Sequence, residues 1–428
     1  MISFNKIKSL NGEVKAPPDK SITHRSLIIS AMAEGTSRVT NPLISLDTKA
    51  TVEAVSSLGI DLKRSKNLIE ITSKGYRLFK EPENIIDCGN SGTTARLLTG
   101  LFTPTRKYYV LTGDSSLRER PMKRVIDPLK KMGALISGRY SDTKLPITIM
   151  PSTMKSSTIF QETHSAQVKS AIILASLQLE GATTYVEKIK TRNHTEVLLQ
   201  LCSDSININD DHIIIQGGLT LEAGDFMVPG DFSSAAFFIF ATLIFEKSKV
   251  TIKNCGLNPS RIGFINVLKD LGVKIEYSID NNHGEPYGNI FIGSQDIKGG
   301  LISGKVIPNV IDELPIIAYL GLFAASPIEI RGASELRFKE SDRIGSVVYN
   351  LKQLGAEVHE YNDGLKVFPP KTINKKCILK SFKDHRIAII NTIIAKKFGQ
   401  DILLDDISCM NISFPTFMET FAEIEEEC

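Results

Sequence analysis

A short segment near the start of the chain combines basic side chains with helix-capping residues. In APPDKSITHRSL, Asp19 or Ser21 can cap a helix, which puts Lys20 at the helix N-terminus. Arg25 follows Ser21 by four residues and shares its face of the helix. Free N–H groups and the helix dipole favour an anion at this end. The segment predicts a phosphate or carboxylate site, with an ordinary cap and solvated charges as the alternative.

A glycine-rich turn follows a short predicted strand at 84–86. In DCGNSGTTARLLTG, Gly89 and Gly92 let the backbone approach a ligand closely, and Asn90 offers a donor beside them. The spacing matches neither a Walker A loop nor the GxGxxG turn of dinucleotide-binding proteins. The turn therefore indicates a ligand-binding loop of another kind, with a plain loop between strand and helix as the alternative.

Three further predicted helix starts in the first half carry basic or polar residues. They are SLRERPMKRVIDPL, with Arg118, Arg120, Lys123 and Arg124 at one helix start and Pro121 in its first turn; THSAQVKSAIILASL, with Ser165 and Gln167; and KTRNHTEVLL, with Arg192 and His194. Each pattern fits an anion site, and each also fits plain capping or solvated charge.

The second half of the chain supplies carboxylates as well as cations. Asp312 and Glu313 begin an apolar helix in PNVIDELPIIAYLGLFAA, where acids are also ordinary partners of the helix dipole. In ELRFKESDRIGSV, Lys339 and Arg343 share a face if the segment is helical, and Glu340 lies between them. KDHRIAII places His385 and Arg386 directly before another apolar helix. No GxSxG, HExxH or EF-hand pattern occurs, so serine-hydrolase and metalloprotease chemistry has no support.

One pattern recurs along the chain and predicts the elements that position these residues. An amphipathic helix ends at a glycine, and a short apolar strand follows. The copies are TVEAVSSLGIDL, VIDPLKKMGALI, INVLKDLGVKI and VVYNLKQLGAEV, with a degenerate copy in EVLLQLCSDSI. Their glycines are Gly59, Gly133, Gly272 and Gly355. The spacing is too long for common solenoids and predicts a repeated unit of several strands and two helices.

A second internal echo divides the chain into two halves. PPDKSITHRSLIISAMA resembles VPGDFSSAAFFIFATLI, since each has Pro, then Asp and Ser, then a helix. The second copy lacks the basic residues of the first. This echo predicts a boundary near residue 228 between domains of comparable size.

Composition limits the class of protein. The 428 residues are 42% hydrophobic and 23% charged, which excludes a largely disordered chain. A net charge of +3 excludes a general attraction to nucleic acid, so any anion site must be a local cluster. Tryptophan is absent and aromatic content is 7%, which argues against a stacking platform for single strands. We expect a protein that binds neither nucleic acid nor membranes.

Cysteine usage and hydropathy indicate a cytoplasmic protein. No two cysteines form a CxxC, so we expect reduced, mostly buried thiols. Residues 1–10 lack the apolar core of a signal peptide. The run at 235–245 is shorter than the ~20 residues that span a bilayer and predicts a buried helix. The cysteines are Cys88, Cys202, Cys255, Cys377, Cys409 and Cys428.

Eight motifs form an ordered series over nearly the whole chain, from Lys20 to the C-terminal SFPTF. They are PPDKSITHR, CGNSGTTAR, RERP, HSAQVKSA, KTRNHTE, VIDELP, ELRFKESDR and KDHR. This series resembles the 5-enolpyruvylshikimate-3-phosphate (EPSP) synthase family, the 3-phosphoshikimate 1-carboxyvinyltransferases. The resemblance implies that the 5-hydroxyl of shikimate-3-phosphate adds to C2 of phosphoenolpyruvate. Phosphate then leaves a non-covalent tetrahedral intermediate, and no metal or organic cofactor takes part.

The same resemblance implies the fold and the domains. The family fold is a two-domain inside-out α/β barrel with six βαβαββ units, three to each domain about a pseudo-threefold axis. It places the N-terminal domain at 12–227 and the C-terminal domain at 1–11 plus 228–428, with the active site in the cleft between them. We expect a monomer.

The resemblance also implies a role for individual residues. Those that would bind shikimate-3-phosphate are Lys20, Ser21, Arg25, Ser165, Ala166, Gln167, Arg192, Asp312 and Lys339. Those that would bind phosphoenolpyruvate are Lys20, Asn90, Gly92, Arg120, Gln167, Arg343, His385 and Arg386. Asp312 would accept the proton of the 5-hydroxyl, Glu340 would handle the C3 proton of phosphoenolpyruvate, and Lys20 would assist. This set holds seven cations against the two carboxylates of Asp312 and Glu340.

Three positions bear on ligand affinity. Many relatives have Lys where this chain has Ile412, and Asn where it has Glu335. Gly92 leaves room for the family inhibitor glyphosate, which predicts sensitivity to it.

Two other functions stay open on the sequence. One is the sister enolpyruvyl transferase that acts on UDP-N-acetylglucosamine, although 111–120 lacks the reactive cysteine of that enzyme's loop. The other is a non-catalytic phosphoanion-binding protein, which would need no pair such as Asp312 and Glu340.

Overall fold

The computed structural model describes residues 1–427 and leaves the side chain of Ile412 undescribed. The predictions made for the Ile412 side chain and for Cys428 therefore lie outside the described residues.

The chain divides into two compact units. The unit called N-terminal here holds Pro18–Val228 together with His283–Glu285. The unit called C-terminal holds Met1–Pro17, Pro229–Asn282 and the chain from Pro286 onward. Each unit has a hydrophobic core of its own, built from the inward faces of its helices and strands.

Short strands alternate with helices throughout the described chain. The strands are β1 (Ile7–Lys15), β2 (Glu34–Thr40), β3 (Asp61–Arg64), β4 (Leu68–Lys74), β5 (Ile86–Asp87), β6 (Tyr109–Thr112), β7 (Leu135–Gly138), β8 (Lys144–Met150), β9 (Thr158–Phe160), β10 (Gly181–Val186), β11 (Ile206–Asn209), β12 (His212–Gly217), β13 (Asp225–Met227), β14 (Lys249–Gly256), β15 (Ile275–Asn281), β16 (Tyr287–Gly293), β17 (Gly300–Ile302), β18 (Ile328–Ile330), β19 (Glu357–Tyr361), β20 (Gly364–Phe368), β21 (Cys377–Leu379), β22 (Ile402–Leu404) and β23 (Glu425–Glu427).

The α-helices lie between these strands. They are α1 (Lys20–Met32), α2 (Leu46–Ser56), α3 (Gly92–Phe102), α4 (Ser115–Glu119), α5 (Lys123–Lys131), α6 (Arg139–Asp142), α7 (Ala166–Ser176), α8 (His194–Leu199), α9 (Phe232–Ile244), α10 (Gly263–Asp270), α11 (Ile307–Val310), α12 (Leu314–Leu320), α13 (Arg343–Gln353), α14 (His385–Phe398) and α15 (Phe417–Ala422).

Five sheets share one pairing scheme, which confirms the predicted repeat. In each, a parallel pair is extended by an antiparallel strand and then by its hairpin partner. The N-terminal unit holds β13-β2-β4-β3, β5-β6-β8-β7 and β9-β10-β12-β11. The C-terminal unit holds β1-β14-β16-β15, with β23 added beside β1, and β17-β18-β20-β19. A sixth, reduced sheet pairs β21 with β22 in parallel.

Glycine ends the repeated helices as the sequence predicts. Gly59, Gly133, Gly272 and Gly355 have φ of 80°, 103°, 84° and 88°, a region that side chains with a Cβ rarely occupy. Each glycine lies between a helix and the strand that follows it: α2 and β3, α5 and β7, α10 and β15, α13 and β19. The degenerate copy also forms a helix and a strand, α8 and β11.

The two echoing segments form equivalent helices. Helices α1 and α9 each contain 13 residues and are capped by Asp19 and Asp231. The strand after α1 is β2, which pairs in parallel with β13 from much later in the chain. The strand after α9 is β14, which pairs in parallel with β1 from much earlier in the chain. Every residue of α9 is buried, which confirms the predicted buried helix.

The described residues include five of the six cysteines and all the helices that could be compared with a membrane span. Cys88, Cys202, Cys255 and Cys409 are buried free thiols, and Cys377 is half-buried, so the expectation of reduced, mostly buried cysteines is confirmed for these five. Within residues 1–427, none of the helices has the length and hydropathy needed to cross a bilayer.

Two local predictions were wrong. The strand before the glycine-rich turn is Ile86–Asp87 instead of 84–86. Pro121 lies between α4 and α5, so Arg118 and Arg120 belong to the end of α4 and not to the start of α5. The condition set for Lys339 and Arg343, a helical segment, is not met, because Lys339 is extended, with φ −84° and ψ −156°.

Candidate functional site

Helix α1 presents its first turn as the sequence predicts. Asp19 is the cap, and its carboxylate accepts a hydrogen bond from Ile22 N at 2.8 Å. Ser21 therefore lies within the first turn. Lys20 Nζ is 2.9 Å from Asp47 Oδ2 in the first turn of α2. The Lys20 side chain is 25% exposed, so it can reach a ligand while paired.

Arg25 is buried and held on three sides. Its Nε donates to Thr195 Oγ1 at 2.9 Å, Nη2 donates to Ser170 Oγ at 3.0 Å, and Nη1 donates to Ser21 O at 3.0 Å. Burial lowers the pKa of Arg25 to about 10, with Glu196 acting in the opposite direction. The guanidinium is therefore still charged at neutral pH.

The turn between β5 and α3 brings Asn90 and Arg120 together. Arg120 Nη2 donates to Asn90 Oδ1 at 2.6 Å, and Nη1 donates to Asn90 O at 3.2 Å. Asn90 Nδ2 donates to Asp114 Oδ2 at 2.6 Å. Gly92 begins α3, and Ser91 caps that helix by accepting from the backbone N–H of Thr94, the third residue of the helix.

Gln167 is fixed by two neighbours on α3. Arg96 Nη1 donates to Gln167 Oε1 at 2.6 Å, and Gln167 Nε2 donates to Thr93 Oγ1 at 2.9 Å. These two bonds set the orientation of the amide. A Cβ on Gly92 would lie 2.9 Å from Arg96 Nη1 and 3.6 Å from Arg120 Nη1. Glycine therefore leaves the two guanidinium groups the space that they occupy.

The remaining predicted residues of this unit lie at helix starts. Ser165 occupies the cap position of α7, and Ala166 begins that helix. Arg192 lies two residues before α8, which begins at His194. His194 Nδ1 is 2.7 Å from Glu285 Oε1, and both side chains are buried.

A chain of buried side-chain hydrogen bonds joins α1 to the glycine-rich turn. His24 Nδ1 contacts Thr51 Oγ1 at 2.7 Å, Thr51 contacts Thr94 Oγ1 at 2.7 Å, and Thr94 donates to Ser91 Oγ at 2.7 Å. These contacts connect α1, which carries Lys20, Ser21 and Arg25, through α2 to α3, which begins at Gly92.

Replacing His24 with Gln is expected to make the free energy of unfolding depend less steeply on pH at acidic pH. Burial lowers the pKa of His24 from 6.5 to about 3; Lys20 and Arg25 act in the same direction, and Asp47 opposes them. Between these values the unfolded chain binds a proton that the folded protein does not. Stability therefore rises with pH through this window, by up to about 1.4 kcal/mol per pH unit for this group. Urea unfolding free energies across the window measure the slope.

His212→Gln is the matched control, because His212 is about 50% exposed. We expect that variant to keep the wild-type slope. A His24→Gln protein whose stability falls with acid as steeply as the wild type contradicts the prediction.

In the C-terminal unit, three cations surround one carboxylate. Asp312 lies just before α12, and its side chain is 12% exposed. Asp312 Oδ1 is 3.2 Å from Arg343 Nη1 and 3.6 Å from Lys339 Nζ. Asp312 Oδ2 is 3.8 Å from Arg386 Nη2, which belongs to α14. This environment favours the ionised carboxylate.

Arg343 is buried among carboxylates from three segments. Besides Asp312, its Nη2 is 2.6 Å from Glu340 Oε2, and its Nε is 2.8 Å from Asp384 Oδ2. Burial alone would lower the pKa of Arg343, but Asp384, Glu340 and Asp312 raise it. Burial acts to raise the pKa of Asp384, but Arg343 lowers it below its ordinary value. Asp384 also caps α14, which begins at His385.

A second buried charge group lies beside Asp312. Arg261 Nη2 is 3.7 Å from Asp231 Oδ1 and 3.7 Å from Glu313 Oε1. Burial acts to raise the pKa of Asp231, but Arg261 and Arg386 lower it. Glu313 adjoins Asp312 in sequence, so this group fixes the backbone from which Asp312 projects.

The predicted residues thus form one cluster in each unit. The N-terminal cluster is Lys20, Ser21, Arg25, Asn90, Gly92, Arg120, Ser165, Ala166, Gln167 and Arg192. The C-terminal cluster is Asp312, Lys339, Glu340, Arg343, His385 and Arg386. Sequence reasoning missed the partners that hold these residues, namely Asp47, Arg96, Thr195, Asp231 and Asp384.

Within residues 1–427, no group of three or more His, Cys, Asp or Glu side chains is arranged to hold a metal ion. The carboxylates described above contact lysine and arginine side chains, which are neighbours that a cation would avoid.

Comparison with known proteins tests the resemblance. The profile of the EPSP synthase (3-phosphoshikimate 1-carboxyvinyltransferase) family matches residues 4–421. The 3-phosphoshikimate 1-carboxyvinyltransferases of Bacillus subtilis (strain 168) and Petrotoga mobilis are 39% and 42% identical to the chain, each over 99% of both proteins.

Solved structures agree on the fold. An EPSP synthase from Acinetobacter baumannii superposes with a TM-score of 0.87 at 34% identity, covering 99% of this chain and 98% of that one. The enolpyruvyl transferase NikO from Streptomyces tendae has a TM-score of 0.76 at 14% identity, covering 98% and 96%, and shows the fold alone. The predicted fold class is confirmed, and the chain belongs to the EPSP synthase family.

Proposed function

We propose that this protein transfers the enolpyruvyl group of phosphoenolpyruvate to the 5-hydroxyl of shikimate-3-phosphate and releases phosphate. The reaction belongs to the shikimate pathway, on the way to chorismate and the aromatic amino acids. The observation that carries this proposal is the full-length match to the family together with Asp312 held among three cations. A non-catalytic anion-binding protein would have no use for a carboxylate placed there.

Binding of both substrates is assigned to the two clusters. In the N-terminal cluster, Lys20, Ser21, Arg25, Ser165, Ala166, Gln167 and Arg192 bind shikimate-3-phosphate, while Lys20, Asn90, Gly92, Arg120 and Gln167 bind phosphoenolpyruvate. From the C-terminal cluster, Asp312 and Lys339 bind shikimate-3-phosphate. Arg343, His385 and Arg386 bind phosphoenolpyruvate. Each phosphate carries about −1.5 to −2 charges at neutral pH, so such a concentration of cations suits this substrate pair.

Asp312 and Glu340 carry the proton transfers in this proposal. Asp312 accepts the proton of the 5-hydroxyl as the oxygen bonds to C2 of phosphoenolpyruvate, and the carboxyl group of Glu340 gives a proton to C3. Glu340 then takes a proton from C3 as the bond from C2 to the phosphate oxygen breaks, which restores the C2–C3 double bond. Glu340 is more exposed than Asp312, at 28% against 12% of the side chain, and lies 2.6 Å from Arg343.

Phosphate release from phosphoenolpyruvate tests the function. The purified chain is incubated with phosphoenolpyruvate and either shikimate-3-phosphate, UDP-N-acetylglucosamine or no acceptor. We expect release with shikimate-3-phosphate only, and a product heavier by one enolpyruvyl group. Release with the UDP-sugar would establish the sister activity. If no phosphate is released with either acceptor, the proposal is wrong. We also propose a cytoplasmic monomer, which sedimentation of the purified chain and fractionation of its host test.

A further inference from the structure

A buried lysine of α7 joins two carboxylates behind the N-terminal cluster. Lys169 is 1% exposed, and its Nζ lies 2.9 Å from Glu187 Oε1 and 2.8 Å from Glu196 Oε1. The same ammonium donates to Thr191 O at 3.3 Å. The hydrogen bond to Glu187 goes to Oε2 at 3.1 Å, so Glu187, Glu196 and Thr191 together provide acceptors for the three donors of the ammonium group. A buried charge with this set of partners is fixed in one position.

The lysine and Glu187 together hold the backbone next to Arg192. Thr191 N donates to Glu187 Oε1 at 3.0 Å, and Thr191 Oγ1 donates to the same oxygen at 2.6 Å. The carbonyl of Thr191 accepts from Lys169. All three polar groups of Thr191 are therefore bound to this pair, and the next residue in the chain is Arg192.

The same lysine is linked to Arg25 through its sequence neighbours. Ser170 follows Lys169 on α7, and Thr195 precedes Glu196 on α8. Arg25 donates to both hydroxyls, which also contact each other at 2.7 Å. A shift of either helix therefore moves the partners of Arg25.

Four buried charges of this region form a group with two of each sign, and the buried carboxylates of Asp19 and Glu285 also act on Arg25. Lys169 and Arg25 supply two positive charges, and Glu187 and Glu196 supply two negative ones. Among the nearby carboxylates, Glu196 has the strongest effect on Arg25. Loss of one buried partner leaves the others uncompensated, which rearranges or destabilises the group.

We propose that Lys169 is a positioning residue for shikimate-3-phosphate, because it fixes the backbone before Arg192 and balances Glu196, the buried carboxylate that acts most strongly on Arg25. The proposal rests on the function proposed above. Gln167 and Arg120 are held by other partners, Arg96 and Asn90. The effect should therefore fall on shikimate-3-phosphate and spare phosphoenolpyruvate.

Lys169→Met tests the proposal on the full chain. With the ammonium gone, Glu187 and Glu196 lose their shared cation, so the Arg25 guanidinium turns toward Glu196 and Thr191 loses one anchor. We expect KM for shikimate-3-phosphate to rise at least about tenfold, which corresponds to about 1.4 kcal/mol of binding free energy. KM for phosphoenolpyruvate and kcat at saturating shikimate-3-phosphate should change less than about threefold. Calorimetric titration with shikimate-3-phosphate alone gives a readout that does not depend on turnover.

A second substitution separates charge balance from simple damage. The double variant Lys169→Met with Glu187→Gln leaves Arg25 and Glu196 as one balanced pair, so it should recover most of the lost affinity. Lys396→Met is the matched control, because Lys396 is also a buried lysine, 10% exposed, paired with Glu425. Its loss should lower stability without raising either KM.

The possible results are distinct. Equal rises in both KM values, an unchanged KM for shikimate-3-phosphate, or a double variant worse than the single one overturns the proposal. If Lys169→Met does not fold, Thr191→Val decides, because it removes only the hydroxyl bond to Glu187; an unchanged KM for shikimate-3-phosphate in that variant overturns the proposal as well. A wild-type chain that neither binds shikimate-3-phosphate nor releases phosphate refutes the proposed function itself.

Discussion

Asp312→Asn is expected to lower kcat by about 10² to 10⁴-fold, the usual contribution of a positioned general base. The amide keeps the size of the side chain, and the main-chain carbonyl of residue 312, to which Arg386 Nη1 donates at 3.2 Å, is unaffected by the change. It cannot accept a proton from the 5-hydroxyl. Removing one negative charge beside Lys339, Arg343 and Arg386 leaves the site more positive, so binding of the anionic substrates should be retained or tightened. Steady-state kinetics with each substrate varied in turn would show a fall in kcat with KM values unchanged or lower.

The control for Asp312 is Asp270→Asn, the same change at an exposed position at the end of α10. That variant should match the wild type in kcat and in both KM values. The assignment of Asp312 as the base fails if Asp312→Asn retains more than about a tenth of wild-type kcat. A rise in KM with unchanged kcat would instead make Asp312 a substrate-binding residue.

Local physics explains which parts of the fold could be predicted. Helix ends are marked by glycine because only glycine adopts a positive φ at little conformational cost, as it does at Gly59, Gly133, Gly272 and Gly355. This preference depends only on the residues next to the glycine. The echo between the two halves depends on Asp19 and on its counterpart before α9, both of which cap helices through their own side chains. Short-range signals of this kind can be read directly from the sequence.

The partners of the site residues depend on long-range contacts and were therefore missed. Asp47 lies 27 residues from Lys20, and Asp384 lies 41 residues from Arg343. No periodicity joins such pairs, since they meet only when separate helices pack. The predicted site residues include seven cations and two carboxylates, and the structure adds Asp47 beside Lys20 and Asp384 beside Arg343. These two cations are therefore paired in a way that the motifs do not reveal.

The start of α13 shows how a cap decides whether a spacing counts as helical. Lys339 and Arg343 share a face only if the segment between them is helical. Asp342, however, is a strong cap, and its side chain accepts from Gly345 N at 3.1 Å, so the helix begins only at Arg343. Lys339 reaches Asp312 from an extended segment instead. Lys339 and Arg343 therefore both contact Asp312 without belonging to one helix.

Arg343→Met is expected to lower the free energy of unfolding by about 3 to 5 kcal/mol, the usual cost of removing one partner of a buried ion pair. The Arg343 side chain is 1% exposed, and Asp384, its partner at 2.8 Å, is fully buried. Without the guanidinium, the Asp384 and Asp312 carboxylates stay charged and buried with one fewer cation beside them, which destabilises the folded state. Urea unfolding of the full chain measures the change, from the midpoint urea concentration and from the dependence of the unfolding free energy on urea.

Arg331→Met provides the matched control for that loss. Arg331 also contacts two carboxylates, Glu329 at 3.8 Å and Asp363 at 3.4 Å, but its side chain is 43% exposed. Solvent screening limits such pairs to about 1 kcal/mol or less. Arg343→Lys should fall between the two, because an ammonium keeps the charge but lacks the fork that reaches Asp384, Glu340 and Asp312 together. If Arg343→Met costs no more than Arg331→Met, the buried carboxylates are stabilised by something other than Arg343, and its place at the centre of the C-terminal cluster is wrong.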